Sequence, residues 1–305
     1  MKNDLVIKRF FYSNLFLSVL VLINIFLGPL VRATDSGLAC PDWPLCHGKI
    51  IPPHDFNNWM EVGHRIYSGI ISLVLLLLIF WTFKVEILRK NFLLLYIFSS
   101  LVIINQVILG MLTVTKLLDP TTVNLHYLNA VILLSIFSTI TLKAQYLTEG
   151  REISGNFFAK IFQKRNTIIL LALGFIFLQL FFGGRVSSHY AGLACPDFPT
   201  CNGFLFPRGQ GIMVRYQIEH RFGAYIALIF SALSFFLSKK FSFENKSKLF
   251  LKSAFHAMLF QIFLGAMNVI FRLPELITAS HSAFGAIVFI LTYSGLYRQI
   301  LIEKK

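Results

Sequence analysis

Residues 63–80 read GHRIYSGIISLVLLLLIF, a polar opening that carries a histidine and then an apolar run broken by one serine. The apolar residues follow one another without the period of two that a membrane barrel strand requires, so the run reads as a helix, whose backbone groups bond within the segment. Seven further stretches approach the ~20 residues a bilayer core demands. Together the eight cover roughly 10–31, 64–83, 92–115, 124–143, 166–186, 218–238, 250–271 and 278–297. Composition agrees: 56% of the 305 residues are hydrophobic, 14% are charged and the mean hydropathy is +0.69, too apolar for a water-soluble domain to cover. The expected fold is an all-α membrane protein with eight transmembrane helices. The first run lacks a small-residue cleavage site and enters a loop that recurs later, so it is expected to remain as a helix.

The opening octet itself recurs: GHRIYSGI at 63–70 matches EHRFGAYI at 219–226. GLACPDWPLCHG at 37–48 matches GLACPDFPTCNG at 192–203, and Gln106, Leu109, Gly110 and Val114 match Gln261, Leu264, Gly265 and Val269. Separations of 155 or 156 residues thus predict two tandem-duplicated four-helix bundles, 1–150 and 151–305, joined by a basic loop near 144–165. An even number of helices per unit keeps both copies the same way up. Most of the 28 lysines and arginines fall at the two termini and in the loops after the second, fourth and sixth helices. The positive-inside rule then predicts both termini cytoplasmic and both cysteine loops outside. Clusters such as KIFQKR and KKFSFENKSK account for the net charge of +14 as anchors to anionic lipid, and no nucleic-acid partner is expected.

Four of the eight histidines obey the repeat, His64 with His220 and His126 with His281. The topology places each at the outer end of an even-numbered helix, all at one depth. Ionisable residues at membrane depth are costly and are retained for function with a partner nearby. Zinc would want further thiolate, imidazole or carboxylate ligands beside them. Haem iron wants one or two imidazoles and an apolar slot between helices. The residues therefore point to two haem slots, His64 with His126 and His220 with His281. His47, His54 and His189 lack repeat partners and are expected to be solvated loop residues, and His256 to make an interhelical hydrogen bond.

The GHR and EHR helix starts, the histidines of NLHYLNA and TASHSAFGA, the GLACP loops and the duplicated eight-helix layout resemble the haem A synthase family, in its bacterial form with cysteine pairs in both outer loops. The resemblance spans nearly the whole chain. It implies oxidation of the methyl at ring position 8 of haem O to a formyl group, giving haem A for cytochrome oxidase. It also implies a haem b cofactor on His220 and His281, with substrate haem at His64 and His126. Haem O synthase and an unidentified electron donor are the expected partners beside membrane lipid, and a homo-oligomer is left open. With no transit peptide before the first helix, the expected location is the bacterial cytoplasmic (inner) membrane.

Positions where the halves disagree are the informative ones. Glu61, three residues before His64, is replaced by Gln217 in the second half. Either it favours a helix N-terminus through the dipole, or it does acid–base or water-positioning work at the haem edge. The family pattern, which has a glutamate before the first histidine, agrees with the latter. Glu219 stands beside His220 where the first half has Gly63. Arg65 and Arg221 follow their histidines, and their donor forks suit a haem propionate or a lipid phosphate. Arg32, where the second half has Ser187, contributes to the substrate side only. Cys40 with Cys46 and Cys195 with Cys201 are expected as disulfides in an oxidising compartment, each a modest staple because its loop is short. The alternative is that Cys40 and Cys46 exchange electrons or thiols during turnover. If both His64 and His126 hold the substrate iron, dioxygen finds no open axial position. Either one ligand leaves or the oxidising equivalent comes from elsewhere. Two rivals stand beside an enzyme: an electron-transferring cytochrome b, for which equivalent halves are expected, and a haem carrier that releases haem unchanged.

Overall fold

The computed structural model describes residues 2–151, 160–207 and 211–301; the middle of the connecting loop, 152–159, lies outside them. The helices are α1 Lys2–Ala33, α2 Phe56–Lys84, α3 Glu86–Thr115, α4 Pro120–Thr148, α5 Thr167–Ser188, α6 Ile212–Lys240, α7 Asn245–Ile270 and α8 Glu275–Leu301. Among the described residues, these eight are long and apolar enough to cross a membrane, so the protein is a multi-pass, all-α membrane protein.

Most helices outrun their apolar stretches at the N-terminal end. Asp55 starts α2 by accepting the backbone N–H groups of Asn57 and Asn58. Asp119 starts α4 by accepting the N–H and hydroxyl of Thr122, with Pro120 in the first turn, where its missing N–H costs nothing. Such caps are single polar residues that an average over an apolar window does not register. One expectation changes as a result. GHR and EHR are not helix starts: His64 and His220 lie ~12 Å, and His126 and His281 ~9 Å, inside their helices at ~1.5 Å per residue.

Helices α1 to α4 pack as a ring, each against its chain neighbours and α4 back onto α1, and α5 to α8 close in the same order. Between the rings, α1 packs on α8, and α4 packs on both α5 and α8. Lipid removes most of the hydrophobic drive between helices, so close packing and interhelical hydrogen bonds hold such contacts. Within the first ring the Tyr96 hydroxyl donates to the buried Asn14 side chain at 2.7 Å, in a core that includes Phe10, Phe92 and Phe137. Across the rings the Tyr127 hydroxyl donates to the Ser282 carbonyl at 2.9 Å, and the hydroxyls of Thr139 and Tyr293 meet at 2.5 Å.

His256 corrects a prediction. Its ring is exposed and its Nδ1 meets the Lys252 carbonyl at 2.7 Å, one turn back in the same helix. The ring lies 6.5 Å from that of Phe235 in α6, but its hydrogen bond is intrahelical.

Candidate functional site

All four repeat histidines line one cavity of about 1050 Å³ between the helices, at the upper end of the ~300–1,000 Å³ typical of small-molecule sites. Each imidazole reaches it from an even-numbered helix and lies against a glycine of the helix before. A Cβ on Gly28 of α1 would sit 3.5 Å from Cε1 of His64, and one on Gly110 of α3 would sit 3.1 Å from Cε1 of His126. The corresponding distances are 2.9 Å from Gly183 of α5 to His220 and 3.0 Å from Gly265 of α7 to His281. A methyl at Gly183, Gly265 or Gly110 would press on the ring, whereas one at Gly28 would meet it at ordinary contact distance.

The rings of His220 and His281 lie edge-on to one another, with centroids 6.2 Å apart and planes at 88°. Metal–imidazole bonds are ~2 Å long, so this spacing admits an iron between the two rings. The Nδ1 atoms of His64, His126 and His281 are buried without a hydrogen-bond partner among the described residues, which leaves ring nitrogens free to meet a bound group. Paired imidazoles in a largely apolar slot between helices form a donor set that fits haem.

The four histidines are not supported alike. The Gln179 amide nitrogen lies 2.8 Å from both Nδ1 and the carbonyl of His220. The Gln261 amide donates to the His281 carbonyl at 2.8 Å and approaches its Nε2 at 3.5 Å. Gln106, oriented by Asn129, approaches Nε2 of His126 at 3.3 Å. Asn24 holds in α1 the place of Gln179 in α5, but it is one methylene shorter and donates to the Ser68 hydroxyl at 3.0 Å. His64 is therefore the one of the four without an amide beside its ring among the described residues. The sequence reading missed Gly28, Gly183, Asn24 and Gln179. Their separation of 155 was available, but small residues are common in membrane helices, and an asparagine opposite a glutamine does not look like a repeat.

Glu61 is buried in the second turn of α2, past the N-terminal turn where the dipole is felt, and it lines the cavity. One carboxylate oxygen accepts from Arg65 at 2.5 Å and the other from the backbone N–H of Cys40 at 2.9 Å. Gln217 instead donates to the Gly192 carbonyl at 2.5 Å. Both side chains tie helix to cysteine loop, and only the first half places a carboxylate there. Glu219 pairs with Arg185 and Arg215 at 3.1 and 2.8 Å.

The guanidinium groups of Arg65 and Arg221 line the cavity and also grip the loops. Arg65 donates to the carbonyls of Asp42, Pro44 and Leu45 at 3.0, 3.3 and 2.8 Å. Arg221 donates to those of Asp197, Thr200 and Cys195 at 2.8, 2.5 and 2.9 Å. Each loop is closed by a disulfide, Cys40–Cys46 or Cys195–Cys201, as the sequence predicted. Each also contains a tight turn with two residues in the left-handed region, His47 and Gly48 or Asn202 and Gly203. Asp42 accepts the backbone N–H groups of His47 and Gly48, and Asp197 accepts those of Asn202 and Gly203 together with the Thr200 hydroxyl. The Thr200 hydroxyl, with these N–H groups, holds the Asp197 carboxyl down at about 2. His189 is less solvated than predicted: its Nδ1 meets the Arg185 carbonyl at 3.0 Å and its ring lies edge-on to Tyr216.

A family model described as cytochrome oxidase assembly protein matches residues 12–293. The chain is similar to the Heme A synthase of Shewanella oneidensis, with 30% identity over 90% of this chain and 91% of that protein. It is similar as well to the Heme A synthases of Alkalihalophilus pseudofirmus, 28% identical over 73% and 74% of the two chains, and Macrococcus caseolyticus, 26% identical over 92% and 94%.

Proposed function

The chain belongs to the cytochrome oxidase assembly protein family, and from that premise we propose that it is a haem A synthase, an oxidoreductase that turns the ring-8 methyl of haem O into the formyl of haem A. The observation that carries the assignment of roles is the inequality of the two histidine sites. Gln179 ties His220 at ring and backbone, and the neutral Gln217 stands near it. Among the described residues His64 has no such tie, and Glu61, three residues before it in α2, keeps a carboxylate in the same cavity wall. The first arrangement suits a retained cofactor, haem b, on His220 and His281. The second suits a substrate that enters and leaves, haem O, on His64 and His126.

When bound, haem b supplies one-electron transfer. The protein's own residues do the rest. Glu61, held by Arg65 and the Cys40 N–H, keeps a carboxylate at the cavity wall, where it takes up or releases a proton or orients a water beside the substrate. With no amide beside its ring among the described residues, His64 would be the less firmly held of the two residues on which a substrate haem would sit. Arg65 and Arg221 line the cavity and hold the loops that cover it and restrict water, with their donors engaged by loop carbonyls and, for Arg65, by Glu61. Turning the methyl into the formyl adds one oxygen atom and removes four electrons, so each of two hydroxylations would require an external oxidant, and the geminal diol they would give loses water to leave the aldehyde. The disulfides act as structural closures. The site lies on the outer side of the bacterial cytoplasmic membrane, with an electron donor and haem O synthase as partners.

Co-expression with a haem O synthase in a bacterium that makes no haem A, followed by chromatography of extracted haems with mass detection, tests this reading. Wild type is expected to yield haem A. Glu61→Gln is expected to lower the yield by ~100-fold or more while bound haem persists, the scale of a lost acid–base group. Unaltered haem O beside stoichiometric bound haem would replace the proposal with an electron-transfer cytochrome or a carrier.

A further inference from the structure

Arg32 lies in the last turn of α1 and its side chain lines the cavity. Gly28, against which the His64 ring packs, lies four residues earlier on the same face, so Arg32 stands ~6 Å further along the helix from that contact. Its guanidinium is stacked 4.1 Å over the Tyr190 ring, and Nη2 donates to the Ser187 carbonyl at 2.7 Å. Nη1 is buried and makes no hydrogen bond among the described residues. A buried guanidinium N–H without an acceptor is costly, and it is an unusual thing for a fold to leave in a cavity wall. The other two cavity arginines differ, because loop carbonyls, and Glu61 for Arg65, already occupy their donors. The second half has no equivalent cation: Ser187 stands four residues after Gly183 as Arg32 stands four after Gly28.

We infer that Arg32 is an anion-binding residue of the first site alone, donating Nη1–H to a carboxylate side chain of the haem held by His64 and His126. The inference rests on the reading that haem occupies that site. Arginine's planar fork, with one arm fixed on Ser187 and its face on Tyr190, keeps the second arm aimed without further loss of side-chain freedom. A haem seated beside Gly28 carries its carboxylates at its edge, and Arg32 is the cation one turn away with a donor to spare. The same chemistry would accept a lipid phosphate entering from the bilayer, so the test must separate the two anions.

Full-length protein that retains its second-site haem is placed in nanodiscs and titrated with haem and with haem dimethyl ester, which lacks the carboxylates. First-site binding is the Soret change that disappears in His64→Ala. In wild type the ester is expected to bind ~10-fold or more weakly than the free acid, the scale of one charge-assisted hydrogen bond. Arg32→Gln is expected to weaken the free acid to the level of the ester, leave the ester unchanged and leave second-site haem content unchanged. Arg32→Lys, which keeps the charge without the fork, is expected to fall between and serves if the glutamine variant does not fold. Equal weakening of both ligands would make Arg32 a packing residue and overturn the inference, as would discrimination that survives in Arg32→Gln. An Arg32 effect that appears only in nanodiscs containing anionic lipid would assign the donor to lipid phosphate instead. No His64-dependent signal in wild type would overturn the haem reading itself, and this inference with it.

Discussion

A methyl group added at Gly183 would lie 2.9 Å from Cε1 of His220, whereas one added at Gly28 would lie 3.5 Å from Cε1 of His64. The first distance is an overlap that displaces the ring, and the second is ordinary contact. Gly183→Ala is therefore expected to lower second-site haem retained on purification several-fold, while Gly28→Ala keeps first-site binding near wild type; haem per protein and Soret spectra read both. The histidines were legible in the sequence because an imidazole at membrane depth is rare and four of them repeated. Their glycine seats were not, since a glycine's role there is the space it leaves for a ring on another helix. Arg65 and Arg221 were legible as cations at the site. Their grip on the loops was not, because backbone carbonyls carry no signature in sequence.

At the scale of the element, the two cysteine loops act as caps fastened to α2 and α6 by one arginine and one Glu61 or Gln217 each. Within the second loop, the Thr200 hydroxyl and the N–H groups of Gly203 and Asn202 bring the Asp197 carboxyl from 3.8 to about 2. A carboxyl lowered on folding supports the loop fully above the unfolded value and loses that support as pH falls through the folded one. Amide exchange at Asn202 and Gly203 is thus expected to stay protected at pH 4 and to accelerate near pH 2. In Asp197→Asn it is expected to be faster than wild type already at neutral pH. Asp42 is lowered in the same direction, first by the Gly48 N–H. The loops were legible from their Pro, Gly and Cys content, and the disulfides from the cysteine spacing. The helix starts were misplaced by two turns at α2, because capping by Asp55 is a local hydrogen-bond event that hydropathy does not see.

At the scale of the molecule, the end of the bundle away from the loops is tied by a charge cluster. Arg298 of α8 is fully buried and donates to Glu149, after α4, at 3.2 Å and to Glu244, before α7, at 2.8 Å. Lys246 also pairs with Glu149, and Arg151 pairs with Glu244 at 3.1 Å. Removing a partner from a buried pair costs ~3–5 kcal/mol when the remaining charge is stranded. Here two other cations remain, so Arg298→Leu is expected to destabilise the protein by about 2 kcal/mol, the loss of its charged hydrogen bonds. A lowered thermal midpoint in detergent, with haem spectra unchanged at low temperature, would show it. No reading of the sequence singled out Arg298 beyond its place among the basic residues at the C-terminal end.

Sequence alone determined the eight apolar helices, the two cysteine loops and the four histidines, because hydropathy, cysteine spacing and repeat offsets are local or periodic properties that survive without knowledge of contacts. Tertiary structure decided which histidine is clamped and which is loose, that Glu61 is pinned between Arg65 and a loop N–H, and that Arg32 keeps in the cavity wall a donor unpaired among the described residues. Those outcomes turn on partners that lie on other helices or across a loop. A difference of one methylene, Asn24 against Gln179, is enough to send a hydrogen bond to Ser68 instead of to a histidine ring.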